Sequence, residues 1–178
     1  MKSVSCDGYD FDFPKALNAF KFDSTDKNDQ YYHGAPMKAV DIIVEFENEY
    51  VFIEIKNFHN RSRYEDETAL EPFDIQDNKG ALNLLKESLK YKYRDSLLYR
   101  FAESKVDNPI HYICLLNLKP STLYGLAKVL RKELPVGISC ARWKKPLAES
   151  CVVLNEAMFQ SQFPKWRIST EGFTALGS

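Results

Sequence analysis

No stretch of this chain reaches the roughly 18 consecutive apolar residues that a membrane helix requires, and the opening MKSVSCDGYDFDF lacks the apolar core of a secretory signal. A soluble, cytoplasmic protein without a membrane partner is the expectation. Glycine is sparse, at 7 of 178 residues, and none is grouped into a loop that would cradle a nucleotide phosphate; a Gly-x-Ser-x-Gly elbow is missing too. Those two absences remove phosphate-loop and serine-hydrolase chemistry. The four cysteines, Cys6, Cys114, Cys140 and Cys151, are scattered without Cys-x-x-Cys spacing, and His33, His59 and His111 show no ligand spacing. Reduced thiols and no zinc site follow. Positive charge is not in surplus: the formal net charge is -1 and the pI about 6.3. That excludes a protein that coats nucleic acid through bulk charge, while an enzyme needs only a local basic groove, for which Lys90, Lys92 and Arg94, then Lys128, Arg131 and Lys132, and the Arg142-Trp143-Lys144-Lys145 run are candidates.

What is present is an ordinary globular composition, 44% hydrophobic and 28% charged, in a length that suits one domain spanning 1–178 with a core at about 12–155. Its most informative stretch is residues 38–57, KAVDIIVEFENEYVFIEIKN, which reads as two strands joined by a tight turn. Successive strand residues point to opposite faces, so Glu54 and Lys56 share one face while Val51, Ile53 and Ile55 share the other. With Asn48 and Glu49 as the turn, Ile42 opposes Ile55, Val44 opposes Ile53 and Phe46 opposes Val51. Every one of those pairs is apolar, as a buried face requires. The same register sets Asp41 opposite Lys56 and Ile43 opposite Glu54. Three ionisable groups then meet at one end of a hairpin.

Such a trio suits phosphodiester hydrolysis. A hard divalent cation takes oxygen ligands, so Asp41 and Glu54, with the carbonyl of Ile55, make a half-cage for Mg2+ or Mn2+. An ion held there would polarise a phosphodiester and lower the pKa of a bound water, while Lys56 positions the water and offsets negative charge in the transition state. The plain alternative is a solvated hairpin face, common in antiparallel sheets. Against it, Glu54 and Lys56 interrupt a strongly apolar strand.

Asp41 followed thirteen positions later by Glu54-Ile55-Lys56 at the end of an apolar strand resembles the signature of the PD-(D/E)XK nuclease superfamily, the restriction-endonuclease-like fold that includes Holliday-junction resolvases. The resemblance covers about residues 12–118 as an order of elements and three residues as a motif. It implies Asp41 and Glu54 as magnesium or manganese ligands and Lys56 as the catalytic lysine. Val40 stands where the motif has a proline that varies within the superfamily. Many members add an acidic ligand from the first helix, for which this chain offers Asp12 or Asp23. Such nucleases act on nucleic acid, DNA being the expected substrate, and those that cut both strands of a duplex are commonly two-fold dimers.

Elsewhere the chain predicts a helix over 12–22, with Asp12 as N-cap and Pro14 in its first turn, and a short extra strand at Tyr31 and Tyr32. Residues 58–80 form a long polar stretch suited to a lid or to a protein contact, with Glu65, Asp66, Glu67, Glu71, Asp74 and Asp77 in its acidic 65–77 part. A helix over 81–104 follows, its stripe drawn through Leu82, Leu85, Leu89, Tyr93, Leu97 and Phe101. Its other side carries Lys86, Lys90 and Arg94. In the related nucleases this helix often supplies polar residues to the site, which makes Lys90 and Arg94 candidates for phosphate contact. A buried strand at 109–118, a helix at 120–134, a strand at 151–154 and a helix at 156–163 complete the order. That order predicts a three-layer α/β sandwich with a central mixed sheet flanked by helices. Two functions compete: a Mg2+- or Mn2+-dependent nuclease, and a catalytically inactive module of the same fold that regulates a larger assembly through its acidic loop.

Overall fold

The computed structural model describes residues 1–58 and 78–170. The acidic 65–77 stretch proposed as a lid or contact surface lies outside the described residues. In order, the elements are β1 (Lys2–Cys6), β2 (Tyr9–Phe13), β3 (Asn18–Lys21), β4 (Ile42–Glu45), β5 (Tyr50–Lys56), α1 (Lys79–Ala102), β6 (Ile110–Leu116), α2 (Pro120–Glu133), β7 (Ser150–Leu154), α3 (Glu156–Gln162) and β8 (Arg167–Thr170).

The central sheet runs β3-β4-β5-β6-β7. Its first three strands are antiparallel, and β5, β6 and β7 are parallel. Parallel neighbours need long crossovers, which α1 and α2 provide. Residues of α1 and α2 bury one face of this sheet, with Leu89, Tyr93, Leu123 and Leu130 against Ile43, Phe52, Tyr112 and Cys114. The other face, carrying Ile42, Val44, Val51, Ile53 and Ile55, meets Phe11 and Phe13 of β2 and Phe159 of α3. Three layers result, and the second outer layer is largely a small sheet, β1-β2-β8, instead of the helices expected there.

The helix predicted over 12–22 does not form: Asp12 and Phe13 end β2 of the small sheet, and Asn18–Lys21 is β3, paired with β4 at the edge of the central sheet. Tyr9, Phe11 and Phe13 are buried in strict alternation with Asp10 and Asp12, a period of two that a helix could not bury on one side. Asp7 and Gly8, both at positive φ, form the two-residue turn that pairs Cys6 with Tyr9, as Asp-Gly hairpins do. Tyr31 and Tyr32 do not form a strand either; Tyr31 stacks on Phe20 at 4.0 Å between ring centroids. Phe159 is fully enclosed beside Phe11, Phe163 and Trp166. Phe159→Ala should therefore cost about 3–5 kcal/mol, read as the shift in a urea denaturation curve.

Helix α1 starts on Asn78, whose side chain accepts hydrogen bonds from the Gly80 and Ala81 amides. Its buried side runs through Leu85, Leu89, Tyr93, Ser96 and Arg100; Leu97 packs against the core half-buried, while Phe101 is 67% exposed. Steps of four alone drift around a helix of 3.6 residues per turn, and the step of three from Tyr93 to Ser96 brings the stripe back. Two polar residues thereby enter the interior. Among the described residues no helix is long and apolar enough to cross a membrane.

Candidate active site

The hairpin forms with Phe46 donating to the Glu49 carbonyl at 2.9 Å, so Glu47 and Asn48 make the turn. Ile42 therefore faces Ile53 and Val44 faces Val51, two residues away from the predicted register. An even slip leaves each side chain on its expected face. Its effect is to bring Asp41, just before β4, level with Glu54 instead of Lys56.

Backbone contacts fix Asp41 in place. Its carbonyl accepts from Phe22 at 2.8 Å, the Val40 amide donates to Ser96 Oγ at 2.9 Å, and the Lys38 amide donates to Asp95 Oδ2 at 2.9 Å. The segment is thus tied to β3 on one side and to α1 on the other. The Ile55 amide donates to Asp41 Oδ2 at 2.5 Å, so the carboxylate caps β5 where β4 no longer reaches it. Since the N–H and C=O of a strand residue point the same way, the Ile55 carbonyl lies on the Asp41 side as well.

Glu54 is fully buried and points to the α1 side of the sheet, with Asp41 4% and Lys56 9% exposed beside it. Lys92 of α1 completes the cluster. Its Nζ lies 2.8 Å from Glu54 Oε1 and 3.3 Å from Asp41 Oδ1, while Lys56 Nζ lies 3.8 Å from Glu54 Oε1. Two carboxylates that share one nitrogen are close enough for a single ion to bridge. All of this sits at the carboxyl end of parallel strands β5 and β6, where open α/β sheets take their ligands.

Charge is held here at some cost. Burial, and then the neighbouring Asp41 charge, push Glu54 well above the usual carboxylate range. Burial pulls Lys92 down, but Glu54 and Asp41 hold its ammonium above the ordinary lysine value. Asp23, just after β3, lies near the Asp41 carboxylate, and burial together with that charge raises it to about 7. Of the two candidates for a third acid, the fold therefore brings Asp23 to the cluster. Asp12 instead accepts from Ser3 Oγ at 2.7 Å within the small sheet.

A pH dependence follows from Asp23 in metal-free protein. Between its ordinary pKa near 3.8 and the folded value near 7, the native state keeps a proton that the unfolded chain releases. The Asp23 contribution to stability therefore falls as pH rises from about 4 to about 7 and is lost above, while the raised Glu54 adds a fall of the same sign. Asp23→Asn should flatten that slope, as measured by denaturant midpoints in EDTA from pH 4.5 to 8.

Lys90 and Arg94 are placed differently. Lys90 Nζ lies 2.5 Å from Glu87 and 2.9 Å from Glu133, and Arg94 donates to the Glu133 carbonyl at 3.1 Å. Both join α1 to α2 and stand apart from the Asp41 and Glu54 contacts. Lys92, which the sequence offered only as one basic residue of a phosphate groove, is instead the one paired with Glu54 and Asp41. Its signal was a lysine set among Leu89, Tyr93 and Ser96 on the buried side of the helix.

No group of three or more His, Cys, Asp or Glu side chains is arranged to hold a metal ion among the described residues. The donor chemistry nonetheless fits a hard dication: two carboxylates within reach of one ion, with Glu54 Oε2 buried and lacking a hydrogen-bond partner among the described residues. The chain matches no protein-family model, no curated protein and no solved structure, so a functional reading rests on its own residues and geometry.

Proposed function

We propose that this chain is a metal-dependent nuclease of the restriction-endonuclease-like fold that hydrolyses phosphodiester bonds of nucleic acid, DNA in the first instance, in the cytoplasm. One observation carries the reading: Asp41, Glu54, Lys56 and Lys92 converge in the interior. A solvated hairpin face would leave them in water. Burying charge costs stability even when it is paired, and clusters of perturbed ionisable groups concentrate at active sites. The antiparallel β4-β5 pair, crossover α1 and parallel β6 supply the order of elements that the PD-(D/E)XK resemblance implies, although strands occupy residues 9–21 where a first helix was expected.

In this reading Asp41 and Glu54, with the Ile55 carbonyl, would hold Mg2+ or Mn2+. The bound ion would supply Lewis-acid activation of the phosphodiester and of water. Asp41 is kept in its ligating orientation by the Ile55 amide. Glu54 is kept by its place in the strand between two apolar faces. Lys56, at the strand end and on the same face as Glu54, positions the attacking water and offsets charge on the pentacovalent phosphorus. Substrate phosphate would approach from the carboxyl end of β5 and β6. A dimer would be expected if both strands of a duplex are cut.

The test is release of labelled fragments from single- and double-stranded DNA with Mn2+, with Mg2+ and with EDTA. Cleavage should need the metal and vanish in Lys56→Ala; metal-independent cleavage, or full activity in the variant, contradicts the assignment. A second reading, an inactive regulatory module, draws support from the Lys92 ammonium lying between the two carboxylates. It predicts no Mn2+ binding that depends on Asp41 and Glu54.

A further inference from the structure

We infer that Lys92 is a tethered counter-cation that occupies the divalent-ion position of this site, so that metal binding requires its ammonium to withdraw. The inference rests on the nuclease reading above. Its geometry is that of a bridge: Nζ 2.8 Å from Glu54 Oε1 and 3.3 Å from Asp41 Oδ1, on the two groups assigned as ligands. The Lys92 ammonium donates to Asp41 Oδ1 and pairs in charge with Glu54 Oε1, so one compact cation faces two anionic oxygens as an ion would. Removing it without replacement would leave two buried carboxylates facing each other and Asp23.

The two partners differ in how firmly they are held. Asp41 is fixed through its backbone and the Ile55 amide, and Glu54 is embedded in a central strand. Lys92 hangs on a four-carbon stem with several rotatable bonds. Entry of a dication would repel the ammonium, and the lysine is the member of the cluster able to move. Ser96, one helical turn further on, holds the Asp41 segment to α1, so the carboxylates keep their places when it does. Metal affinity in the unmodified protein is consequently lowered by competition from its own side chain.

The experiment is Mn2+ titration by calorimetry, without nucleic acid, of the unmodified chain, Lys92→Met, Lys92→Gln and Lys56→Met, with thermal unfolding to confirm that each is folded. Lys92→Met should bind Mn2+ at least tenfold more tightly than the unmodified chain. Lys92→Gln provides the same comparison if the methionine variant does not fold. Lys56→Met removes the same unit of charge from the cluster without vacating the bridge, and should give a clearly smaller gain. Equal or weaker binding in both Lys92 variants, or an equal gain in Lys56→Met, overturns the inference while leaving the nuclease reading intact. If Mn2+ binds none of the four, the nuclease reading falls and the inference with it.

Discussion

Replacing Glu54 by glutamine should reduce metal-dependent DNA cleavage by about a thousandfold or more, while the protein remains folded. Glutamine has the shape of glutamate and can fill the same enclosed space, but it offers a neutral carbonyl where a hard cation needs an anionic oxygen. Loss of one electrostatic partner in an active site typically costs about a hundred- to a thousandfold, and here a ligand is lost as well. The fold should tolerate the change because burial already works against the ionised form of Glu54. A glutamine variant with thermal unfolding close to the parent and no cleavage would separate site from scaffold. Residual activity within tenfold of the parent would mean that Glu54 holds no ion.

Arg100 should give the largest loss of stability among single charged substitutions. It is 1% exposed, pairs with Glu45 and with Glu103, and lies over the rings of Phe20 at 5.9 Å and Tyr50 at 5.6 Å. Burial would raise Glu45, yet hydrogen bonds from Arg100 and Lys105 hold it below the ordinary glutamate value. Arg100→Ala leaves the Glu45 carboxylate with Lys105 alone, an exposed partner, and opens a hole between α1 and the edge of the sheet. Breaking a buried pair from one side costs about 3–5 kcal/mol. Removing both partners with apolar replacements, as in Glu45→Leu with Arg100→Met, should restore most of that loss. Urea midpoints of the two proteins check both statements, and a loss below about 1 kcal/mol in Arg100→Ala would show that the pair is mere surface decoration.

The contrast between these two sites explains what could be read from the residues and what could not. The alternation of Ile42 to Ile55 placed the hairpin and sorted its faces correctly, because one wrong step would have turned the whole apolar set to the opposite face. Its register was free to slip by two, since that preserves the faces, and the turn settled on Glu47 and Asn48. The apolar run at 109–118 announced an interior strand, and β6 lies within it between two parallel neighbours. Residues 9–13 misled in the other direction. Asp12 and Pro14 look like a helix start, but the Asp-Gly turn and the alternation of Tyr9, Phe11 and Phe13 weighed more once β8, from the far end of the chain, closed the small sheet. Such a pairing spans most of the sequence, so no local pattern reveals it.

In the candidate site, Asp41, Glu54 and Lys56 were legible because strand periodicity and spacing bear on them directly. Arg100 was not, and Lys92 was legible only as one basic residue of a possible groove. Both interrupt the buried side of α1, and a stripe drawn through leucines and aromatics passes over them in favour of Leu97 and Phe101. The buried position of Ser96 marks where the true stripe turns inward. Reading polar residues within an apolar stripe as partners for charges elsewhere, here Asp41, Glu54 and Glu45, would have recovered them.

The most direct test of the central claim, that Asp41 and Glu54 are joint ligands of one catalytic ion, is an anomalous-difference map from a crystal soaked in Mn2+. The account predicts a single strong peak within about 2.5 Å of a carboxylate oxygen from each residue, with Lys92 Nζ moved off the bridge. A peak elsewhere in the molecule, or none while Lys92 still spans the two carboxylates, would contradict it.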